Sequence, residues 1–114
     1  MIKISVDEAY AFDYLSIIEI KQRIKRNINT ETIKNDIIQD IGVDKFNEVI
    51  DSIEYKELKS ANKVVFEAVD MAKKHQIPAS YVDYCNYQRM IHKKKLQDKH
   101  FNNELTEIKI GYNV

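Results

Sequence analysis

Chain-breaking residues are scarce in this sequence, which has only two glycines and one proline in 114 residues. Glycine supplies the positive φ angles that many tight turns need, and proline interrupts both helices and strands. A fold of many short strands needs frequent turn residues, so this composition favours long helices with few connections. At this length we expect a single helical domain, residues 1–114, with one hydrophobic core.

The first part of the chain contains the pattern of two helices. Apolar residues recur at helical spacing over residues 8–26, and Asp7 is a suitable N-cap immediately before them. After a short loop, Thr30 is placed to cap a second, shorter helix. Gly42 follows its last apolar residue and suits the left-handed conformation that ends many helices.

A third helical pattern begins at Asp44, which is a suitable N-cap, and continues to residue 75. The pattern leaves open whether this stretch is one helix or two helices with a break near residues 54–55. Pro78 stops the pattern, because the residue before a proline disfavours the α conformation.

The longest helix is predicted over residues 81–101, with Ser80 as its N-cap. On this helix four polar residues share an arc about 80° wide, at about 100° per residue, between apolar neighbours. We expect the row to point inward or to line a groove. Its members are Asn86, Arg89, Lys93 and Gln97.

The two ends of the chain have a different periodicity. Apolar and polar residues alternate over residues 2–6 and again over residues 108–114, which is typical of strands. The complete prediction is a mainly α fold. Four to five helices form a compact bundle, and the N- and C-termini form a small two-stranded β ribbon.

The distribution of charge excludes some classes of function and suggests others. The formal net charge is zero, so the whole molecule has no general attraction to nucleic acid or to anionic membranes. However, residues 40–57 contain six acids and two lysines, and residues 89–99 contain five bases and one acid. These segments are predicted to complement each other, either within one molecule or between copies.

The cysteine content and the apolar runs indicate the compartment. Cys85 is the only cysteine, which rules out an internal disulfide and fits a reducing compartment. No apolar run approaches the about 20 residues of a membrane span, and the N-terminus has no apolar signal core. We therefore expect a cytoplasmic protein that does not bind membranes.

Known catalytic and metal-binding motifs give no assignment. Glu54-x-x-Glu57 and Glu67-x-x-Asp70 are similar to the metal-binding motifs of the all-α nucleotide pyrophosphatases. In a continuous helix, however, the two motifs lie about 20 Å apart at 1.5 Å per residue, so a solvated helix face is the expected structure. The histidines lack zinc-ligand spacing, and no phosphate-binding or dinucleotide-binding loop is present. We expect no metal and no cofactor, and the catalytic residues, if any, are unknown.

Six polar residues occupy helix faces that are otherwise apolar, and burying them unpaired costs several kcal/mol. They form either an internal hydrogen-bonded network or a polar pocket between helices. We expect Asp13 to contact Arg89 or Lys93, with Asn62 and Asn86 nearby; these five residues are the ligand-binding candidates. The complete set is Asp13, Lys21, Asn62, Asn86, Arg89 and Lys93.

Several of these positions also belong to a resemblance. Asp13-x-x-Ser16-Ile17-x-Glu19-Ile20-Lys21 resembles the D-x-x-[ST]-I-L-E-I-K element of a small family of unknown function from bacteria and phages. Further along, the matching residues are Asn62, Phe66 and Asp70, then Asn86-x-x-Arg89-x-x-x-Lys93-x-x-Leu96-Gln97, then Leu105-Thr106-Glu107-Ile108-Lys109 with Tyr112. The order is collinear over nearly the whole chain. The resemblance implies no particular activity.

Three classes of function follow. The first is a non-enzymatic protein-interaction module, which associates with a protein partner or with a second copy. The second is an anionic small-ligand or enzymatic site in the polar pocket, where Arg89 and Lys93 hold the anion. The third is nucleic-acid binding through the lysine-rich end of the long helix, which includes Lys94, Lys95 and Lys99.

Overall fold

The structure is a computed structural model that describes residues 2, 4–25 and 27–101. Across these residues the chain forms five α-helices, so the prediction of a mainly α fold is confirmed. The helices are α1 (Glu8–Ile24), α2 (Glu31–Ile41), α3 (Val43–Ile50), α4 (Ile53–Lys73) and α5 (Ala79–His100).

Two predicted caps of the first helices have different outcomes. Asp7 caps α1, because its Oδ1 accepts a hydrogen bond from the Tyr10 N–H at 2.9 Å. Thr30 occupies the N-cap position of α2 but makes no side-chain cap hydrogen bond, and its side chain is buried instead. Asn29 takes over this role, because its Oδ1 accepts from the Glu31 N–H at 2.8 Å.

The stretch predicted from residue 44 to residue 75 is two helices. Gly42, with φ of +89°, forms the corner between α2 and α3, and α3 begins at Val43. Asp44 therefore lies in the first turn of α3 and is not its N-cap. The break falls at residues 51–52, where Ser52 Oγ accepts a hydrogen bond from the Tyr55 N–H at 3.2 Å and starts α4.

The connection into α5 is also slightly different from the prediction. α4 ends at Lys73, and His75 adopts a left-handed conformation with φ of 59°. Pro78 occupies the N-cap position of α5, with no side-chain cap hydrogen bond. Ser80 therefore lies inside the first turn and does not cap the helix.

The core is centred on Phe12 of α1, whose side chain is fully buried. Its ring packs at 5.9 Å from the ring of Phe46, at 6.0 Å from Tyr55 and at 6.1 Å from Phe101. These three partners belong to α3, to α4 and to the residue that follows α5. One aromatic side chain therefore joins both ends of the described chain. Leu15, Val49, Leu58 and Leu96 are fully buried as well.

α4 and α5 form an antiparallel hairpin, and α1 packs against both of its helices. The direction of the hairpin follows from its ionic contacts, since Glu57 faces His92 whereas the earlier Glu54 faces the later His100. This arrangement places the middle of α1 opposite the middle of both hairpin helices.

The predicted β ribbon is not supported. Residues 2 and 4–7 form no strand, and the described residues contain none elsewhere. Ile2 and Ile4 are 90% and 75% exposed, so their alternating pattern does not correspond to a buried sheet face. The second predicted strand, residues 108–114, lies outside the described residues.

Candidate functional site

Asp13 is the centre of a buried hydrogen-bond network that joins three helices. Asn62 Nδ2, on α4, donates to Asp13 Oδ1 at 2.8 Å and to Ser16 Oγ at 2.7 Å. On α5, Arg89 Nη1 forms an ion pair with Asp13 Oδ2 at 3.2 Å. The predicted contact between Asp13 and Arg89, with Asn62 beside them, is therefore confirmed.

Ser16 completes the network; it belongs to the motif that resembles the family from bacteria and phages, but it was not among the predicted site residues. Its Oγ donates to the backbone carbonyl of Asp13 at 2.8 Å while it accepts from Asn62. The signal was the spacing, since Ser16 lies one turn after Asp13 on the same face of α1. These bonds offset the cost of removing the Asp13 carboxylate from water.

The polar row of α5 faces α1 at successive turns. Beyond Arg89, the ammonium of Lys93 lies 4.9 Å from the centroid of the Tyr10 ring, a cation–π contact. One turn further, Gln97 Oε1 accepts from the Ala9 N–H at 2.8 Å. Lys93 and Gln97 are both buried and Arg89 contacts Asp13, so the prediction that the row points inward is confirmed for these three residues.

Asn86 is the member of the row that stays apart from the network. It is half-buried, one turn before Arg89, and it is not part of the wall of the pocket that adjoins Asp13 within the described chain. The structure therefore brings together Asp13, Asn62 and Arg89, places Lys93 against Tyr10, and leaves Asn86 at the margin.

An open pocket of about 340 Å³ lies between α1, α4 and α5, next to this network. Asn62 and Arg89 belong to both the network and the pocket wall. Two lysines, Lys21 and Lys73, add positive charge to a wall that is otherwise mostly apolar. The apolar lining consists of Ile17, Ile20, Val65, Phe66 and Val69. We call this cavity the three-helix pocket.

A second depression, of about 460 Å³, runs along the α4–α5 hairpin. We call it the hairpin groove. Among the described residues its walls come from α4 and α5 alone, so it faces away from α1. Four large apolar side chains on its walls are exposed to water: Ile53, Val64, Tyr81 and Tyr84.

The acidic segment, residues 40–57, contacts α5 within one chain, where His92 Nδ1 of the basic segment lies 3.8 Å from Glu57 Oε2. His100 at the end of α5 has its Nδ1 at 3.2 Å from Glu48 Oε2 and its Nε2 at 3.0 Å from Glu54 Oε1. Glu48 also accepts from Lys45 Nζ at 2.8 Å. The hydrogen bond from Lys45, followed by that from His100, lowers the pKa of the Glu48 carboxyl below its usual value. From the sequence, the histidines are considered only as metal ligands, so this contact of His100 is not predicted.

The lysine-rich end of α5 is mixed with acids. Lys95 and Lys99 line a shallow depression of about 360 Å³, together with Glu54, Glu57 and Asp98. Lys94 Nζ lies 3.5 Å from Asp98 Oδ2. A phosphate backbone laid here meets carboxylates as well as ammonium groups, so the charge pattern does not resemble a continuous basic stripe.

Tyr55 forms a further polar contact between α1 and α4. Its hydroxyl donates a hydrogen bond to Glu19 Oε1, and Lys59 Nζ lies 3.4 Å from the same oxygen. Burial, and then the contact with Glu19, raise the pKa of the Tyr55 phenol above its ordinary value. Tyr55 is therefore a fixed hydrogen-bond donor near the core.

Two further features concern metal ions and membranes. Among the described residues, no three or more histidine, cysteine, aspartate or glutamate side chains are grouped so that they could hold a metal ion. Over those residues, none of the helices combines the length and the apolar character that crossing a membrane requires.

Comparison with protein-family models, with curated proteins and with solved structures finds no match for this chain. The resemblance to a small family from bacteria and phages therefore stays a prediction.

Proposed function

We propose that this chain is a protein-interaction domain whose docking surface is the hairpin groove, and that its occupant is a second copy of the same chain. The observation that carries the proposal is the exposure of large apolar side chains along the groove. Ile53 is 60% exposed, Tyr84 58%, Tyr81 45% and Val64 44%. Contiguous exposed apolar surface of this kind is typical of interaction sites.

The shape of the groove suits a helical occupant. From Ile53 to Val64 the groove extends along three turns of α4, about 16 Å at 1.5 Å per residue. Its lining between these two residues includes the small side chains of Ser60 and Ala61. Small side chains allow another helix to approach closely, and aromatic side chains are enriched where proteins associate. Two hairpins packed face to face make a four-helix bundle.

The charges beside the groove favour a second copy as the occupant. Lys56 and Glu57 are neighbours on its α4 wall. In a twofold-symmetric dimer the same patch meets itself, so a self-complementary patch needs both signs of charge. The groove carries both signs of charge, so it meets this requirement. A partner with a strong net charge of one sign would be attracted by one of these residues and repelled by the other.

The proposal is tested by sedimentation equilibrium of the full chain. We expect a species with twice the mass of the chain. The double variant Val64→Glu/Tyr84→Ser removes two apolar groups and places a carboxylate in the interface. We expect it to weaken dimerisation at least about thirtyfold, since central interface residues contribute about 2 kcal/mol or more.

The matched control is Val43→Glu/Tyr14→Ser. It makes the same two chemical changes at side chains of similar exposure, 53% and 52%, outside the groove. The control is expected to dimerise like the unaltered chain. A chain that stays monomeric up to about 1 mM, which limits the association free energy to about 4 kcal/mol, would refute the proposal. Equal dissociation by both double variants would refute it as well.

A further inference from the structure

We infer that the three-helix pocket is a binding site for a small organic anion, one with a carboxylate or phosphate head and an apolar body. The inference does not depend on self-association, because the pocket and the hairpin groove share no lining residue among those described. The pocket volume of about 340 Å³ lies at the small end of ligand sites, which range from about 300 to 1,000 Å³.

The head group is assigned from the charges on the wall. Lys21, Lys73 and Arg89 line the pocket, and Asp70 is its one acidic wall residue among those that the structure describes. Asp70 is already paired, because its Oδ2 lies 3.1 Å from Lys74 Nζ. For Lys21 and Lys73, no acidic group of the described chain lies within ion-pair distance. An anion therefore enters a site with unneutralised positive charge.

Arg89 supplies a second, independent indication. Its Nη1 is used by Asp13, but its Nε is buried and has no hydrogen-bond partner among the described residues. Buried N–H groups are rarely left unpaired, so the Arg89 guanidinium has donor capacity that its ion pair with Asp13 does not use. A guanidinium presents several donors in one plane, which suits the two or three oxygens of a carboxylate or a phosphate.

The apolar body is assigned from the rest of the wall. Ile17 and Ile20 of α1 face Val65, Phe66 and Val69 of α4 across the pocket. Phe66 is 41% exposed, so a ligand there covers an aromatic ring that now meets water. A wholly polar anion such as inorganic phosphate leaves this apolar surface uncovered, and we expect it to bind weakly.

The experiment is isothermal titration calorimetry of the full chain with three probes that each contain a chain of eight carbons, which in octanoate includes the carboxylate carbon. Octanoate and octyl phosphate carry the two candidate heads, and octan-1-ol is the neutral counterpart. We expect one or both anions to bind, and the alcohol to bind at least about tenfold more weakly, a difference of about 1.4 kcal/mol. Which anion binds more tightly identifies the head group.

The double variant Lys21→Gln/Lys73→Gln tests the site itself. Both changes lie outside the Asp13 network, so the fold is expected to keep its melting temperature. We expect the anions to bind about tenfold more weakly, because two cationic contacts are lost, whereas the alcohol binds as before. The control is the double variant Lys25→Gln/Lys63→Gln. It removes one lysine at the end of α1 and one on α4, both outside the pocket wall, and it is expected to bind the anions like the unaltered chain.

Three results would overturn the inference. One is that neither anion binds at about 10 mM, which corresponds to less than about 3 kcal/mol. Another is that octan-1-ol binds as tightly as the anions, which would make the pocket merely apolar. The third is that the Lys21→Gln/Lys73→Gln variant binds the anions as tightly as the Lys25→Gln/Lys63→Gln control.

Discussion

Gln97 of α5 closes the first turn of α1, because its Oε1 accepts a hydrogen bond from the Ala9 N–H at 2.8 Å. Its Nε2 donates to Glu8 Oε1 at 2.9 Å in the same turn. The first N–H groups of a helix have no partner within the helix, so α1 takes one of its N-terminal hydrogen-bond partners from the far end of the chain. This contact ties the start of α1 to the end of α5.

We expect Gln97→Leu to reduce the free energy of unfolding by about 1–3 kcal/mol, because the buried Ala9 N–H loses its acceptor. Urea denaturation followed by circular dichroism measures the change. Gln39→Leu, an exposed position on α2, is the control and is expected to change little. Equal effects of the two substitutions would show that the cap contributes no stability.

Arg89→Ala is expected to destabilise the fold by about 3 kcal/mol, because it leaves the buried Asp13 carboxylate without its cationic partner. We place the loss at the lower end of the usual range, since the Arg89 side chain is 24% exposed and Asn62 still donates to Asp13. Lys95→Ala, at an exposed lysine on the same helix, is expected to cost almost nothing.

A double-mutant cycle separates the ion pair from other effects of Arg89. Asp13→Asn combined with Arg89→Ala is expected to cost less than the sum of the two single changes, because the second change removes the charge that the first left unpaired. Urea denaturation of the four proteins gives the coupling energy. A coupling energy of zero would contradict the view that Asp13 and Arg89 stabilise each other.

The carboxyl of Glu48 is expected to account for part of the stability that the fold loses in acid. Its pKa in the folded protein is lowered, and the hydrogen bond with Lys45 has a larger effect than the one with His100. A lowered pKa means that the carboxylate contributes stability above the ordinary glutamate value of about 4.3, and that this contribution is lost as the pH falls through the lower folded-state value. We therefore expect Glu48→Gln to be less stable than the unaltered chain at neutral pH and equally stable in strong acid.

The pH series needs a carboxylate that lacks such contacts. Glu67 is exposed on α4, and no basic group of the described residues forms an ion pair with it. Between neutral pH and acid, the stability of the Glu67→Gln variant should change with pH in the same way as that of the unaltered chain. If the stability of the Glu48→Gln variant also followed that of the unaltered chain, the contacts of Glu48 with Lys45 and His100 would not stabilise the fold in solution.

The stabilising contribution of Tyr55 is expected to depend on pH in the opposite direction, because it is lost in alkali and not in acid. Its phenol pKa is raised by burial and by Glu19, so its contribution to stability is complete below the ordinary tyrosine value of about 10 and is lost as the pH rises through the folded-state value. Tyr55→Phe is expected to lose about 1 kcal/mol at neutral pH from the missing hydrogen bond. Above pH of about 10 its deficit should shrink, and thermal unfolding across this range measures it.

Helical periodicity predicted the candidate site better than it predicted the ends of the helices. Asp13, Asn62 and Arg89 each interrupt an apolar face, and three such faces meet in the core of a small bundle, so their contact could be foreseen. The partner of Gln97 could not, because it depends on where α1 lies along α5. That position is set by packing around Phe12, which involves residues far apart in the sequence.

The errors at helix ends have a local cause. The break at residues 51–52 contains neither glycine nor proline, and the cap that creates it is a single serine hydroxyl, Ser52 Oγ. Such a residue is also compatible with a helix interior, so the pattern did not locate the break. Alternation in residues 2–6 was equally ambiguous, because a strand also needs a neighbouring strand with which to pair.

The contacts of α1 have a consequence for the order in which the protein acquires its structure during synthesis. Ala9 and Gln97 are separated by 88 positions, and translation adds about 5–20 residues per second. The apolar side of α1 can meet its partners in α3 and α4 first, because Phe46 and Tyr55 follow Phe12 by only 34 and 43 positions. Its contacts with α5 become possible only several seconds after Ala9 is made. During that interval the part of α1 that α5 covers, including the Ala9 N–H, stays open to water and to other molecules.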